Sequence, residues 1–126
     1  MTTPEFSTTL RSLMMPADTN HQGTVFGGVI LSQIDQAGYL EARRNGPLRW
    51  VTVAMDSVKF HAPVFTGDVV SFLSRTNRLG TTSVGVEVRV VAERRDTLEE
   101  VLVTEAQLTM VAVDEECRPT PFKDAT

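Results

Sequence analysis

The sequence contains very little cysteine and histidine. Cys117 is the only cysteine among 126 residues, and His21 and His61 are the only histidines. One cysteine excludes an intrachain disulfide and a cysteine-rich metal cluster, and it favours a reducing, cytoplasmic location. Two histidines that are far apart in sequence also argue against a metal site. We therefore predict a cytoplasmic protein without a metal.

Long apolar runs are missing as well. No stretch approaches the roughly 20 apolar residues that cross a bilayer, and residues 1–9 are polar, without the apolar core of a signal peptide. The net charge of −4 argues against a general affinity for nucleic acid. We find no internal repeat and no linker, so we predict one domain over residues 1–126, with a core over about residues 10–113.

One long helix is predicted over residues 26–43. Ile30, Ile34 and Ala37 recur there at helical spacing, and residues 45–47, Asn-Gly-Pro, form a stop signal. The segment is apolar over most of its circumference, so we expect the helix to be largely enclosed.

The remaining pattern is that of β-strands, with apolar residues at every second position. A short strand over residues 8–15 precedes the helix, and short turns join the later strands, which predicts an antiparallel sheet. One helix cannot cover both faces of this sheet or protect its edges. We therefore predict an α+β fold that works as an oligomer. The four later strands are predicted over residues 50–60, 69–79, 84–90 and 102–112.

The most informative segment is residues 20–28, together with Asp35 in the helix that follows. Gly27 and Gly28 begin this helix with bare backbone, so their unsatisfied N–H groups can be approached closely. The positive end of the helix dipole favours negative charge there. Asp35 is a carboxylate among apolar neighbours, and we expect it to be buried and functional. We predict that the donors and the acid serve a carbonyl substrate.

With these elements in this order, the chain resembles the hotdog-fold acyl-CoA thioesterases, and in particular the short bacterial YciA-type acyl-CoA thioester hydrolases. The resemblance covers about residues 10–113. It rests on residues 15–35, on residues 51–68 and on the hairpin at residues 79–84. It implies a hotdog fold, in which an antiparallel sheet wraps around one long helix and two subunits join their sheets edge to edge. Trimers of such dimers are common in this family.

The resemblance also implies an activity and its residues. The chain is expected to hydrolyse acyl-CoA thioesters, with coenzyme A as part of the substrate and no separate cofactor. Asp35 matches the catalytic acid of the family. Asn20 and the backbone at Gly27 and Gly28 match the groups that serve the thioester carbonyl and the attacking water.

The spacing of Gly27 and Asp35 adds a prediction. Along one helix they are separated by about 12 Å, whereas a reacting carbonyl must lie at about 3 Å from both the donor and the base. We therefore expect Gly27 of one subunit to work with Asp35 of its neighbour.

Coenzyme A phosphates are expected at surface cations, because no nucleotide-binding glycine loop is present in the sequence. A solvated strand face and a hairpin turn explain the same residues equally well. The candidates are Lys59, Arg75 and Arg78, with hydroxyl and backbone groups of Thr81, Thr82 and Ser83.

The site residues also have structural interpretations. Asn20 is typical of a turn or a helix N-cap, and the two glycines would allow the helix to pack closely on a strand. Asp35 would be a partly exposed helix acid that pairs with Arg43 or Arg44. We expect His21 to be a solvated loop residue and His61 to be structural or ligand-lining.

Two other functions stay open on the same fold. One is a non-catalytic module that binds or senses acyl-CoA, since a fold does not determine a function. The other is hydration or dehydration of acyl thioesters. Proteins of that kind usually pair a histidine with an acid, and no histidine flanks Asp35 in this sequence.

Overall fold

The computed structural model describes residues 5–122. Within them, one α-helix and five strands follow one another in the predicted order. The limits 1–126 of the predicted domain and the polar segment over residues 1–9 extend beyond the described residues. The elements are β1 (Ser7–Leu13), a 3₁₀ turn (Pro16–Asp18), α1 (Gly27–Arg43), β2 (Arg49–Phe60), β3 (Val69–Leu79), β4 (Ser83–Glu93) and β5 (Glu100–Val113).

The five strands form one antiparallel sheet in the order β1-β3-β4-β5-β2. Helix α1 packs against all five strands, which confirms the predicted α+β fold. Strands β1 and β2 lie at the two edges, and β2 directly follows the helix in sequence. None of the helices in this part of the chain is long and apolar enough to cross a membrane.

The core lies between α1 and the inner face of the sheet. Alternate valines of β4, from Val84 to Val90, are fully buried there, as are Ile34 and Ala37 of the helix. Burying an aliphatic side chain of this size contributes about 1.5–3 kcal/mol. Gly38 brings the backbone of the helix close to the sheet, since a Cβ atom at this position would lie 2.7 Å from Cδ2 of Leu108.

A buried carboxylate also attaches α1 to β3. Glu41 is 5% exposed, and it accepts hydrogen bonds from the hydroxyl groups of Ser74 at 2.7 Å and Thr76 at 2.9 Å. Arg44 lies 3.6 Å from the same carboxylate. A buried charge is tolerated only with such partners, so these contacts define how the helix sits on the sheet.

The expectation that the helix is largely enclosed is wrong for the single chain. Its buried residues form one face, because the sheet of one chain covers only one side of it. Tyr39 and Leu40 are 38% and 37% exposed, and on edge strand β2 Val51 and Val53 are 37% and 57% exposed. Val51 and Val53 therefore face outward, while their neighbour Trp50 is buried and Met55 packs half-buried against the core.

Candidate active site

A cavity of about 430 Å³ opens beside the start of α1. We call it the Gly27 cavity. Its wall comes from the turn before the helix, the first turn of the helix, the end of β2 with the loop that follows, and β5. The lining residues are Thr24, Val25, Gly27, Ile30, Phe60, His61, Ala62, Pro63, Val64 and Thr104.

The helix start presents unused backbone donors. Phe26 is the N-cap residue, and its side chain makes no capping hydrogen bond. The N–H groups of Gly27 and Gly28 have no acceptor within residues 5–122, as expected for the first turn of a helix. Gly27 lines the cavity and Gly28 does not. A residue with an unused N–H donor, at the positive end of a helix dipole, thus lines the cavity.

Packing inside the chain does not require these two glycines. A Cβ atom at Gly27 would lie 3.5 Å from the ring of Phe60, which is an ordinary contact, and one at Gly28 would have no neighbour within 4 Å. The interpretation that they exist only for close helix packing is therefore not supported. Their bare backbone leaves the N–H groups accessible from outside the chain.

Asn20 is a turn residue. Its side-chain oxygen accepts hydrogen bonds from the N–H groups of Gln22 at 2.8 Å and Thr24 at 3.2 Å. The N-cap alternative is wrong, because the helix begins only after Phe26. Asn20 shapes the turn that leads into the cavity wall at Thr24, and His21 is exposed on that turn.

A buried ion pair holds the opposite wall in place. Arg94 lies 2.6 Å from Oδ2 of Asp68, whose side chain is 3% exposed, and it also donates to the carbonyl oxygen of Pro63 at 3.0 Å. Asp68 in turn accepts the N–H of Phe65 at 2.9 Å. Removing one partner of a buried pair costs about 3–5 kcal/mol, so the loop over residues 61–68 is firmly attached to Arg94, which directly follows β4.

His61 lies at the border of the Gly27 cavity, and its expected role, structural or ligand-lining, stays a prediction. Its Nε2 atom lies 2.8 Å from Glu105 of β5. Arg89 of β4 lies 3.4 Å from the other oxygen of the same carboxylate. The imidazole is therefore held at the rim of the cavity by a shared carboxylate.

Asp35 lies in a second cavity, of about 550 Å³, which we call the Asp35 cavity. The expectation that Asp35 is buried is wrong for the single chain, because its side chain faces the side of α1 that the sheet leaves uncovered. The hydroxyl group of Thr52 donates a hydrogen bond to Oδ1 of Asp35 at 2.5 Å. The lining residues are Asp35, Gln36, Tyr39, Leu40, Trp50, Val51, Thr52 and Met110.

Thr52 is a candidate site residue that the sequence analysis missed. It belongs to edge strand β2, and only the packing of this strand beside α1 brings it to Asp35. The alternative partner, an arginine at the end of the helix, is wrong. Arg44 pairs with Glu41, and the salt bridges of residues 5–122 do not include Asp35.

The two cavities share no lining residue. The structure therefore places Gly27 and Asp35, which stand on one helix, in different cavities of the single chain. Neither cavity alone combines a backbone donor at a helix start with a carboxylate on α1.

The hairpin between β3 and β4 brings together four of the predicted coenzyme A ligands. Both terminal nitrogens of Arg78 lie 3.4 Å from the hydroxyl oxygen of Ser83. The carbonyl groups of Thr81 and Thr82 accept hydrogen bonds from N–H groups later in the chain. These two carbonyl groups therefore already have partners within the chain.

The other two predicted ligands lie elsewhere. Arg75 makes an ion pair with Glu87 at 2.8 Å. Lys59 borders a cavity of about 290 Å³ that Glu87 and Glu105 also line, and these carboxylates oppose the binding of phosphate there. The six candidates do not form one site in the single chain, and their role stays a prediction. Within the described part of the chain, no three acidic, histidine or cysteine side chains are grouped so that they could hold a metal ion.

A long helix packed on an antiparallel sheet, with open donors at its start and an acid further along, is the arrangement expected of a hotdog-fold thioesterase. Residues 22–99 match the Thioesterase superfamily. The acyl-CoA thioester hydrolase YciA of Escherichia coli is 39% identical over 92% of this chain and 90% of its own length. An uncharacterized acyl-CoA thioester hydrolase of Zymomonas mobilis is 43% identical over 87% of this chain and 74% of its own.

The solved structures agree. A hexameric hotdog fold thioesterase of Campylobacter jejuni superposes with a TM-score of 0.88 at 44% identity, covering 92% of this chain and 90% of that one. The hotdog fold predicted from the sequence is therefore confirmed. The chain belongs to the YciA family of acyl-CoA thioester hydrolases, within the thioesterase superfamily.

Proposed function

We propose that the chain hydrolyses acyl-CoA thioesters at sites that two copies of the chain build together. In each site, one copy supplies the Gly27 cavity and the other supplies Asp35 with Thr52. The observation that carries this proposal is the separation of the two groups into different cavities. Along α1 they are about 12 Å apart, whereas one thioester carbonyl must lie at about 3 Å from both.

The exposed edge of the sheet supports the association of two copies. Strand β2 has an unpaired outer edge, and Val51, Val53, Tyr39 and Leu40 leave an apolar surface beside Asp35. An open edge of this kind readily pairs with another strand. Edge-to-edge pairing of β2 would cover this surface and bury Asp35. The hexameric relative from C. jejuni makes a trimer of such dimers the assembly that we propose.

The mechanism of thioester hydrolysis follows from the groups that each copy of the chain supplies to the shared site. The N–H of Gly27 donates to the thioester oxygen, where negative charge develops as the carbonyl carbon is attacked. Asp35 either takes a proton from the attacking water or attacks the carbonyl itself, and Thr52 orients it. The leaving group is a thiolate, which needs little help from an acid. The reaction uses water and the residues of the two chains, with coenzyme A as part of the substrate.

The experiment is release of free thiol from a panel of acyl-CoAs of increasing chain length. We expect the wild type to release coenzyme A and Asp35→Asn to lose activity by at least about 100-fold, since a general base contributes about 10²–10⁴-fold. Asparagine keeps the shape of the side chain and can still accept the hydrogen bond from Thr52. Asp96→Asn, at an aspartate that is 82% exposed between β4 and β5, is the matched control and should keep full activity.

Two results would contradict the proposal. A folded wild type that releases no thiol from any acyl-CoA would exclude hydrolysis and would favour a binding or sensing role. A folded Asp35→Asn variant with wild-type rates would show that Asp35 is not the acid.

A further inference from the structure

One residue that lines the Gly27 cavity has a buried hydroxyl group with no hydrogen-bond partner among the described residues. Thr104 of β5 is 1% exposed, and its Oγ1 atom makes no hydrogen bond within residues 5–122. Leaving a buried donor unsatisfied costs about 1–3 kcal/mol, and such groups are rare in folded proteins. The hydroxyl therefore needs an explanation outside the fold of the single chain.

The neighbours of Thr104 across the sheet provide no hydrogen-bond partner for its hydroxyl group. Its neighbours across the sheet are Phe60 on β2 and Val90 on β4, and both are apolar. A valine has the same shape as threonine without the hydroxyl group, and β4 uses buried valines on the same inner face. By packing alone, valine would suit position 104 better.

Two other buried polar atoms lack a hydrogen bond in the described residues, and neither borders a cavity described above. They are Oε1 of Gln33 and Nε of Arg89, and the latter lies in an ion pair with Glu105 at 3.4 Å. Thr104 alone borders such a cavity, and it is the cavity that contains Gly27. Of the other hydrogen-bonding side chains that line it, Thr24 is engaged with Asn20 and His61 with Glu105.

We propose that the Thr104 hydroxyl donates a hydrogen bond to a carbonyl oxygen of the acyl-CoA that occupies the Gly27 cavity. Thr104 is thus a substrate-binding residue that holds the substrate against the helix start. This inference rests on the proposed function, because it takes the ligand to be an acyl-CoA. Two carbonyl groups of an acyl-CoA lie close to its sulfur atom and could accept this hydrogen bond. They are the thioester carbonyl and the nearest amide carbonyl of the pantetheine arm.

The test measures binding of an acyl-CoA analogue in which a methylene group replaces the thioester sulfur, so that all carbonyl groups remain and hydrolysis cannot occur. We expect Thr104→Val to raise the Kd of this analogue about fivefold to tenfold, as the loss of one hydrogen bond predicts. Thr104→Ser keeps the hydroxyl and should bind within about twofold of the wild type. Thr109→Val, on the same strand but outside the cavity, is the matched control and should bind as the wild type does.

A second analogue separates the two carbonyl groups. An S-alkyl-CoA thioether lacks the acyl carbonyl and keeps the pantetheine amides. If Thr104→Val also weakens binding of the thioether, the partner is the amide. If the effect disappears, the partner is the thioester carbonyl.

A structural role gives a different result. If the hydroxyl only stabilises the fold, for example through a bound water molecule, Thr104→Val should unfold at a lower denaturant concentration and bind the analogue unchanged. On our inference the variant is at least as stable as the wild type, because an unsatisfied group has been removed. Unchanged binding by Thr104→Val, or no binding of the analogue by the wild type, overturns the inference.

Failure of this inference is distinguishable from failure of the proposed function. Thiol release by the wild type, together with unchanged analogue binding by Thr104→Val, leaves hydrolysis in place and overturns the role of Thr104. Weakened analogue binding, together with no thiol release from any acyl-CoA, supports the role of Thr104 and overturns hydrolysis.

Discussion

At the scale of single residues, Asp35 and Thr52 form the best-defined contact of the candidate site. A hydroxyl that donates to one carboxylate oxygen at 2.5 Å restricts the rotation of the carboxylate and leaves its other oxygen for water or substrate. A hydrogen bond to a charged group contributes about 1.5–3 kcal/mol. Thr52 is therefore expected to position Asp35 rather than to react.

This role predicts the effect of Thr52→Val. The variant should lower kcat about tenfold or more, because the carboxylate loses its orientation, while KM changes little. Thr52→Ser, which keeps the donor, should restore most of the rate. Steady-state kinetics with one acyl-CoA measures both parameters, and a Thr52→Val enzyme with the kcat of the wild type would refute the positioning role.

Some of these residues could be recognised in the sequence and others could not. Asp35 stands out because a carboxylate interrupts the apolar pattern of a helix. Thr52 carries no such signal, since its importance depends on how strand β2 packs beside the helix. Thr104 also carries no signal in the sequence, because threonine is common in strands. Only the structure shows that its hydroxyl group lacks a partner and that the residue lines a cavity.

At the scale of elements, the start of α1 carries the backbone N–H group that we propose as the donor to the thioester oxygen. Helix α1 begins at Gly27 with an N-cap residue that provides no side-chain acceptor. The backbone of Phe26, with φ −57° and ψ 136°, has the conformation that a residue before proline prefers. Proline is also favoured at the first position of a helix. Position 27 therefore allows one N–H to be removed without disturbing the helix.

We predict that Gly27→Pro folds and loses about 10²–10³-fold in kcat, the typical cost of one oxyanion-hole donor. Gly27→Ala keeps the N–H and adds a Cβ atom at ordinary contact distance from Phe60, so it serves as the matched control. Circular dichroism should show the same helix content in both variants. Equal activity of the two variants would exclude the Gly27 N–H as the donor.

The elements themselves follow closely from the sequence. The helix was predictable from its apolar spacing and from the Asn-Gly-Pro stop, and β4 from its alternating valines. The same apolar spacing suggested an enclosed helix, and this was wrong for the single chain. A sequence pattern shows that a face is apolar, but it does not show whether the same chain or a second copy covers it.

At the scale of the whole molecule, the exposed apolar residues of α1 and β2 and the incomplete cavities have one explanation. Each is expected of a subunit that works in contact with another copy, as we propose. The order β1-β3-β4-β5-β2 leaves β2 at the edge, beside the helix face that carries Asp35. On our proposal, association through this edge would cover the apolar surface and would place Asp35 near a Gly27 cavity that belongs to the other chain.

The most direct test of this account is complementation between two inactive chains. Asp35→Asn and Gly27→Pro chains, each with its own affinity tag, are co-expressed, and particles that carry both tags are isolated. A mixed dimer then contains one site with two altered halves and one site with two native halves. We predict that the mixed particles recover about one quarter to one half of the wild-type activity per chain, although each parent alone is inactive. Mixed particles that are no more active than their parents would contradict a site shared between subunits.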